Sequence, residues 1–356
     1  MMKKTLLATA IAGAMAASGA QAATVYSQDG TELIVNGRIA LGIEGGGPTD
    51  EGIDNGARFR NVGSRLGLSL SQDISRDLRA FGRVEWRFNA DERDQESGFD
   101  ELRHSYIGLE SASWGTVQAG NYDSFYNTYI MGPFDVYIQD GYEFAQDYAE
   151  GYGSIGGGYQ ARGDSIGYIT PNLSGFQAYL SAKHYSQRNQ AETSADSEIT
   201  TQGGVSYETG PLRLALGYVD NEGGRAEGTG EMLYGASAVY AFNDAFSARL
   251  GYETMDEDDD GLYGYDAWGL GGSYAMGQWA FAADVYRTSY DDARENRTSW
   301  VAGVYYDLTS NFDVFVEATQ RDQGSITIDP NPPGDDNYIE TGSDDVYWIT
   351  GARYHF

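Results

Sequence analysis

Among side chains able to do acid, base or metal chemistry, cysteine and histidine are scarce in this sequence while carboxylates are plentiful, and its charged residues are grouped. Cysteine is absent, so no disulfide, thiolate ligand or thiol nucleophile is available. The histidines are His104, His184 and His355. None stands beside a serine and a carboxylate as a hydrolase would need, and His184 shares a parity with Phe176, Leu180 and Ala182, so strand-end roles outweigh catalysis. The stretch MDEDDDGLYGYDAW matches the first half of a calcium loop, with Asp256, Asp258 and Asp260 ahead of Gly261. Its second half fails. Ala267 stands where such a loop needs a bidentate glutamate, and the flanks read as strands rather than helices. A solvated acidic hairpin tip is the plainer account, with divalent cations shared between acidic loops and an anionic surface as a looser expectation. No organic cofactor is implied.

Arginines form the other grouping. In ELIVNGRIALGIE, Leu33, Val35, Ile39, Leu41 and Ile43 occupy one parity, with Asn36, Arg38 and Glu44 on the other. In LRAFGRVEWRF, Leu78, Ala80, Val84, Trp86 and Phe88 oppose Arg79, Arg83, Glu85 and Arg87, and Arg65 likewise opposes an apolar parity. Cations repeated on one face of neighbouring strands suit the orientation of charged or dipolar solutes in a wet passage.

The elements that must position these arginines are strands, because the alternation has the period of two unlike faces. It recurs in PLRLALGYV, AFSARLGYE, QWAFAADVY, SWVAGVYYDL and NFDVFVEA. Each run is about 9 to 12 residues, the length of a tilted strand crossing a bilayer. Seven connections are short: SQDISRD, SASWG, PNLSG, ETGPL, AFNDA, AMGQ and LTSN. Eight are longer, polar and acidic, near 44–58, 89–101, 122–160, 186–201, 220–231, 254–265, 290–298 and 322–344. The two sets alternate, and fifteen connections join sixteen strands. An even strand number with short turns at one end predicts an all-β, 16-stranded antiparallel transmembrane barrel. A soluble sandwich fits poorly, because the parity opposite the apolar one carries Arg, Glu, Asp and Gln along whole strands and is expected to face water too.

The first residues, MMKK followed by LLATAIAGAMAA and the Ala20-Gln21-Ala22 site, have the form of a secretory signal peptide. The expected organisation is a signal at 1–22 and a barrel at 23–356; loss of Lys3 and Lys4 takes the formal charge from −30 to −32. Beyond the signal no stretch approaches the ~18 apolar residues of a transmembrane helix. Such acidity argues against nucleic acid as a partner, and it favours cations at a pore mouth.

Several segments also resemble the general diffusion porins of Gram-negative outer membranes: RNVGSRLGLSL, ELRHSYIGLE, WGTVQAGNYDSFYN, ARGDSIGYITPNLSGFQAYLSAKHY and the terminal aromatic. The resemblance implies a homotrimer in the outer membrane, one pore per subunit, passing small hydrophilic solutes, with the third long loop folded into the lumen. Lipid, lipopolysaccharide and the barrel-assembly machinery are the other partners it implies. In that family arginines on the wall face carboxylates on the inserted loop. By resemblance Arg38 in NGRIAL, Arg65 in GSRLGL, Arg103 in ELRHSY and Arg162 in QARGDS take the wall positions, although parity is mixed around Arg103 and Arg162. Asp135, Asp140 and Glu143 are the candidate loop carboxylates, where Gly132-Pro133-Phe134-Asp135 replaces the enteric Pro-Glu-Phe-Gly-Gly tip. Such a pore is expected to be weakly cation-selective; a sugar- or anion-specific channel and an adhesive barrel are the competing expectations. The final strand, VYWITGARYHF, pairs with the first to close the barrel, and by resemblance Tyr354 and Phe356 form the assembly signal.

Overall fold

The computed structural model describes residues 23–47, 56–91, 99, 101–138, 165–185, 198–220, 232–256, 264–291, 296–320, 326–328, 339–341 and 345–356. The expected signal peptide and the candidates Asp140, Glu143, Arg162, Asp258 and Asp260 lie outside the described residues.

Burial along the strands is inverted relative to a soluble sheet. On one strand Arg249 and Glu253 are each 4% exposed, whereas Leu250 and Tyr252 are 53% and 46% exposed. Leu70, Ile107, Leu180, Leu216, Leu270 and Val316 are also exposed. An apolar exterior this continuous is stable against lipid and not against water. Among the described residues no helix is long and apolar enough to cross a membrane.

Among the described residues twenty strands follow in chain order: β1 Ala23–Gln28, β2 Thr31–Gly46, β3 Arg58–Asn61, β4 Arg65–Asp73, β5 Leu78–Arg87, β6 Glu101–Ser111, β7 Gly115–Asn121, β8 Ser165–Ile169, β9 Phe176–Tyr185 and β10 Glu198–Thr209. The second half comprises β11 Leu212–Asp220, β12 Met232–Ala241, β13 Phe246–Met255, β14 Tyr265–Met276, β15 Trp279–Tyr290, β16 Arg297–Thr309, β17 Phe312–Gln320, β18 Ile326–Ile328, β19 Ile339–Thr341 and β20 Val346–His355. Antiparallel ladders run from β2 to β4, then strand by strand to β17, then to β20 and back to β2. That ring has sixteen members and no free edge, which is how a sheet satisfies its backbone in a bilayer. The remaining four strands are additions: β1 and β3 flank β2, and β18 pairs with β19.

The seam is closed at Phe356. β20 covers β2 from Arg38 to Gly46, and β1 covers the same edge from Thr31 to Val35. Between them Phe356 exchanges both backbone hydrogen bonds with Gly37, at 2.8 and 3.0 Å. A Cβ at Gly37 would lie 2.7 Å from the terminal ring, so glycine makes room for the closing aromatic. β1 is a short hairpin arm turned at Asp29, with φ of 52°, and Gly30, with φ of 75°. The parity reading did not anticipate it, since none of its six residues is buried.

Rings cluster on the outer face near the short turns. Trp279 lies 4.6 Å from Tyr306, Phe242 stacks on Phe246 at 5.1 Å, and Tyr354 stacks on Phe356 at 6.5 Å. Amphipathic rings at this level suit the lipid headgroup boundary.

Candidate pore constriction

After β7 the chain turns inward instead of connecting directly to β8. Tyr122 places its hydroxyl 2.9 Å from Ser181 Oγ, and one wide helical turn follows at Tyr126–Met131. The Ser124 hydroxyl accepts the Asn127 N–H at 3.0 Å, satisfying a donor at the start of that turn. Phe125, Tyr126, Ile130, Phe134, Val136 and Tyr137 are all buried against the inside of the wall. A long connection is normally solvated, so burial of this much apolar surface fixes the loop in the lumen.

Wall side chains from β12 to β17 hold it there, directly or through one another. Tyr126 donates to Glu253 Oε2 at 2.6 Å, and Tyr265 donates to the other oxygen at 2.7 Å. The Ile138 N–H is shared by both oxygens of Glu317, at 2.8 and 3.0 Å, and the Tyr305 hydroxyl donates to Oε1 at 2.7 Å. Ser237 donates to the Tyr129 carbonyl at 2.5 Å. Arg249 makes a two-pronged bond to Asp284, at 2.5 and 3.0 Å, while reaching the Tyr137 hydroxyl at 3.4 Å. Burial raises the Tyr137 phenol well above its ordinary pKa, so it stays protonated.

The expectation that the polar parity faces water needs correction here. Glu253, Asp284, Asp313, Glu317, Arg249 and Arg353 are each no more than 5% exposed. Most of them meet the inserted loop or a paired charge. Asp313 accepts from Arg353 at 2.9 Å and lies 3.2 Å from His355 Nε2, so His355 is a buried partner and not a loose strand end.

Across the lumen from these anchors, β2 to β6 carry the arginines. Arg38, Arg65 and Arg87 stand in one cross-strand row, by the pairings Arg38 with Arg65 and Arg65 with Arg87. Arg83 lies two steps along the same face of β5 from Arg87, with Glu85 between them, and its Nη2 is 2.5 Å from Glu85 Oε2. Glu85, 2% exposed, also accepts from Arg103 Nη1 at 2.7 Å and lies 3.9 Å from Arg65 Nε. A single buried carboxylate therefore offsets the mutual repulsion of three guanidinium groups.

The mixed parity around Arg103 has a local cause. The ladder between β5 and β6 slips at Glu85/Trp86, so that Glu85 pairs with His104 but Trp86 pairs with Leu102. This bulge leaves Arg103 without a register partner and brings it to Glu85 beside His104, a re-aiming typical of bulges. Arg103 Nη2 and His104 Nε2 lie 3.7 and 3.5 Å from Asp123, at the root of the loop. Arg38 is fixed differently, through Nε donating to the Gly63 carbonyl at 2.8 Å, where the chain breaks between β3 and β4.

Asp135 is exposed on the loop, near enough to interact electrostatically with Arg38, Arg65 and Arg103. Three wall arginines thus lie within electrostatic reach of one loop carboxylate. Asp256 is exposed at the end of β13, away from this wall.

A family model described as Gram-negative porin matches residues 7–325. The chain belongs to that family. As a porin of the outer membrane, it forms a channel for passive diffusion of ions and small hydrophilic solutes. Among its relatives, a monosaccharide porin of Halomonas sp is 29% identical over 367 residues, covering 99% of this chain and 93% of the relative. Outer membrane protein U of Vibrio parahaemolyticus is 26% identical over 312 residues, covering 83% and 81%. Of solved structures, the anion-selective porin from Comamonas acidovorans superposes with a TM-score of 0.71 at 19% identity, over 92% of this chain and all of that one. Salmonella typhi OmpF, in complex with daunomycin, gives 0.65 at 16% identity over 94% of this porin. These two likenesses concern the fold alone.

Proposed function

We propose that the porin is narrowed between the arginine wall and the inserted loop, and that it is a non-enzymatic, weakly cation-selective pore for small hydrophilic solutes, working as a homotrimer. The observation that carries this reading is exposed Asp135 standing across from Arg38, Arg65 and Arg103. The transverse field between them orients dipolar solutes and rejects long apolar ones while water and ions pass. Selectivity is weak because two influences oppose each other. At the wall Arg38, Arg65, Arg83, Arg87 and Arg103 outnumber Glu85, Asp123 and Asp135, whereas the mature chain as a whole carries −32, from −30 less two signal lysines. Long-range attraction of cations by exposed carboxylates weakens with salt over about 10 Å at 0.1 M.

A trimer is supported by the uneven distribution of rings on the outer face. On β2 and β4 to β7 the exposed apolar residues are Ile39, Ile43, Leu70, Leu102, Ile107, Leu109 and Val117, with no exposed ring. From β12 to β16, Tyr234, Tyr240, Phe246, Tyr252, Trp268, Tyr274, Trp279 and Trp300 are exposed. A strand face whose exposed residues are aliphatic, with rings kept to its margins at Phe59, Trp86 beside Phe99, and Trp114, suits packing against a second and third copy. Divalent ions shared between acidic loops and lipopolysaccharide belong to the same reading. A sugar-specific pore is a second reading, supported by the lumenal rings Phe125, Tyr129 and Tyr179, with centroids 4.4 to 4.9 Å apart and Arg213 at 5.9 Å from Tyr129. Purified protein in a planar bilayer under a salt gradient tests both readings. Reversal potentials favouring potassium at low salt, with conductance steps in threes and no block by monosaccharides, are expected. A potential favouring chloride at low salt overturns cation selectivity, and concentration-dependent sugar block favours the second reading.

A further inference from the structure

Where its helical turn meets the wall, the loop is clasped by side chains at its edges and rests on bare backbone between them. Gly204 of β10 pairs with Gly217 of β11, and Gly217 pairs with Gly235 of β12. The three glycines form one continuous cross-strand row on the lumen face. Tyr179 flanks the row at one end, opposite Gly204, and Glu253 at the other, opposite Gly235. Both flanking residues bind the loop: Tyr179 donates to the Tyr129 hydroxyl at 2.6 Å, and Glu253 accepts from Tyr126 at 2.6 Å. The row is therefore a trench with a polar clasp at each end.

The loop fills that trench. A Cβ on Gly235 would meet only loop atoms among its three nearest neighbours, namely the Tyr126 hydroxyl, Tyr126 Cζ at 2.7 Å and Ile130 Cγ2 at 2.7 Å. On Gly217 the conflict is milder, with Phe125 Cε1 at 3.1 Å and Ile130 Cγ1 at 3.3 Å. On Gly204 a Cβ would meet Phe125 Cε1 and also the Leu216 carbonyl. None of these glycines has a φ that only glycine adopts, so turn geometry does not account for them. Close approach of the loop does.

We propose that Gly217 and Gly235 are specificity-determining positions: their lack of a side chain sets how far the loop sits from the arginine wall, and so the size of hydrophilic solute the pore admits. A methyl at Gly235 must move Tyr126 and Ile130 from 2.7 Å to ordinary contact at about 3.5 to 4.0 Å, roughly 1 Å toward the opposite wall. The passage then narrows. The inference rests on the reading that the loop bounds the constriction.

The test is single-channel conductance and solute uptake into liposomes carrying Gly235→Ala, Gly217→Ala and Gly272→Ala porins, each first shown to be folded by its heat-modifiable gel mobility. Gly272 is the control, since its Cβ would find nothing nearer than 3.5 Å. Expected is a loss of conductance and slower disaccharide than monosaccharide entry, larger for Gly235→Ala than for Gly217→Ala and absent for Gly272→Ala. Adding Tyr126→Phe to Gly235→Ala removes the nearest clashing atom and should restore part of the loss, which general destabilisation would not do. If Gly235→Ala fails to fold, Gly217→Ala decides with the same readouts. Unchanged or enlarged conductance in the folded variants overturns the proposal. Deletion of residues 130–142 separates the two failures: if it enlarges the pore while the glycine variants are silent, only this inference falls.

Discussion

Glu317 offers a sharp perturbation, because one carboxylate holds the end of the described loop. Glu317→Ala removes the acceptor of the Ile138 N–H and of the Tyr305 hydroxyl, bonds of 2.7 to 3.0 Å. Tyr305 belongs to β16, so only the Ile138 bond joins loop to wall; a hydrogen bond to a carboxylate contributes about 1.5 to 3 kcal/mol, and that is the local anchoring lost. At about 1.4 kcal/mol per tenfold, the fraction of time the loop end is detached rises roughly 10 to 10²-fold. The barrel ladder of β17 with β16 and β20 uses only backbone at this residue and should survive. Single-channel recording reads the outcome as a larger or noisier open state, and limited proteolysis reads it as faster cleavage between 132 and 142. Glu317→Gln keeps one oxygen and should fall between wild type and Glu317→Ala. Wild-type conductance together with wild-type protease resistance in folded Glu317→Ala would refute the anchoring argument.

Replacing Arg38, Arg65 and Arg103 by alanine one at a time should shift the reversal potential toward cations. One charge at ~10 Å in water is worth about 0.4 kcal/mol, about twofold in local ion concentration before screening, so a single substitution that leaves the potential unmoved contradicts the placement of that arginine at the passage. Deleting Phe356 removes its two backbone bonds to Gly37 and the ring over that residue. Assembly, followed by the appearance of heat-modifiable barrel, should slow much more than conductance changes in the pores that do form; the reverse pattern would count against a role at the seam.

Parity puts Arg38, Arg65, Arg83 and Arg87 on one face, and the strand registers agree because each strand keeps its period of two over those residues. Arg103 was ambiguous because a bulge breaks that period, and no local signal in ELRHSY marks where a ladder slips. The β1 arm escaped notice because its hairpin depends on one left-handed Asp-Gly turn and its sequence shows little alternation. More basic was the misreading of the polar parity. Sequence shows that Glu253, Asp284 and Glu317 point inward, but whether they meet water or the loop depends on contacts between residues more than a hundred positions apart in the chain. The glycine row is hidden for the same reason: Gly204, Gly217 and Gly235 become one feature only when the registers of three strands are known. Their spacing alone looks like ordinary strand glycine.

The central claim is that the loop, seated on the wall of β10 to β17, narrows the passage opposite the arginines. The most direct measurement is the single-channel conductance and solute cut-off of porin lacking residues 130–142, in the same bilayers and salt as the intact protein. An enlarged conductance and a raised cut-off are predicted. Values equal to those of the intact porin would contradict the account.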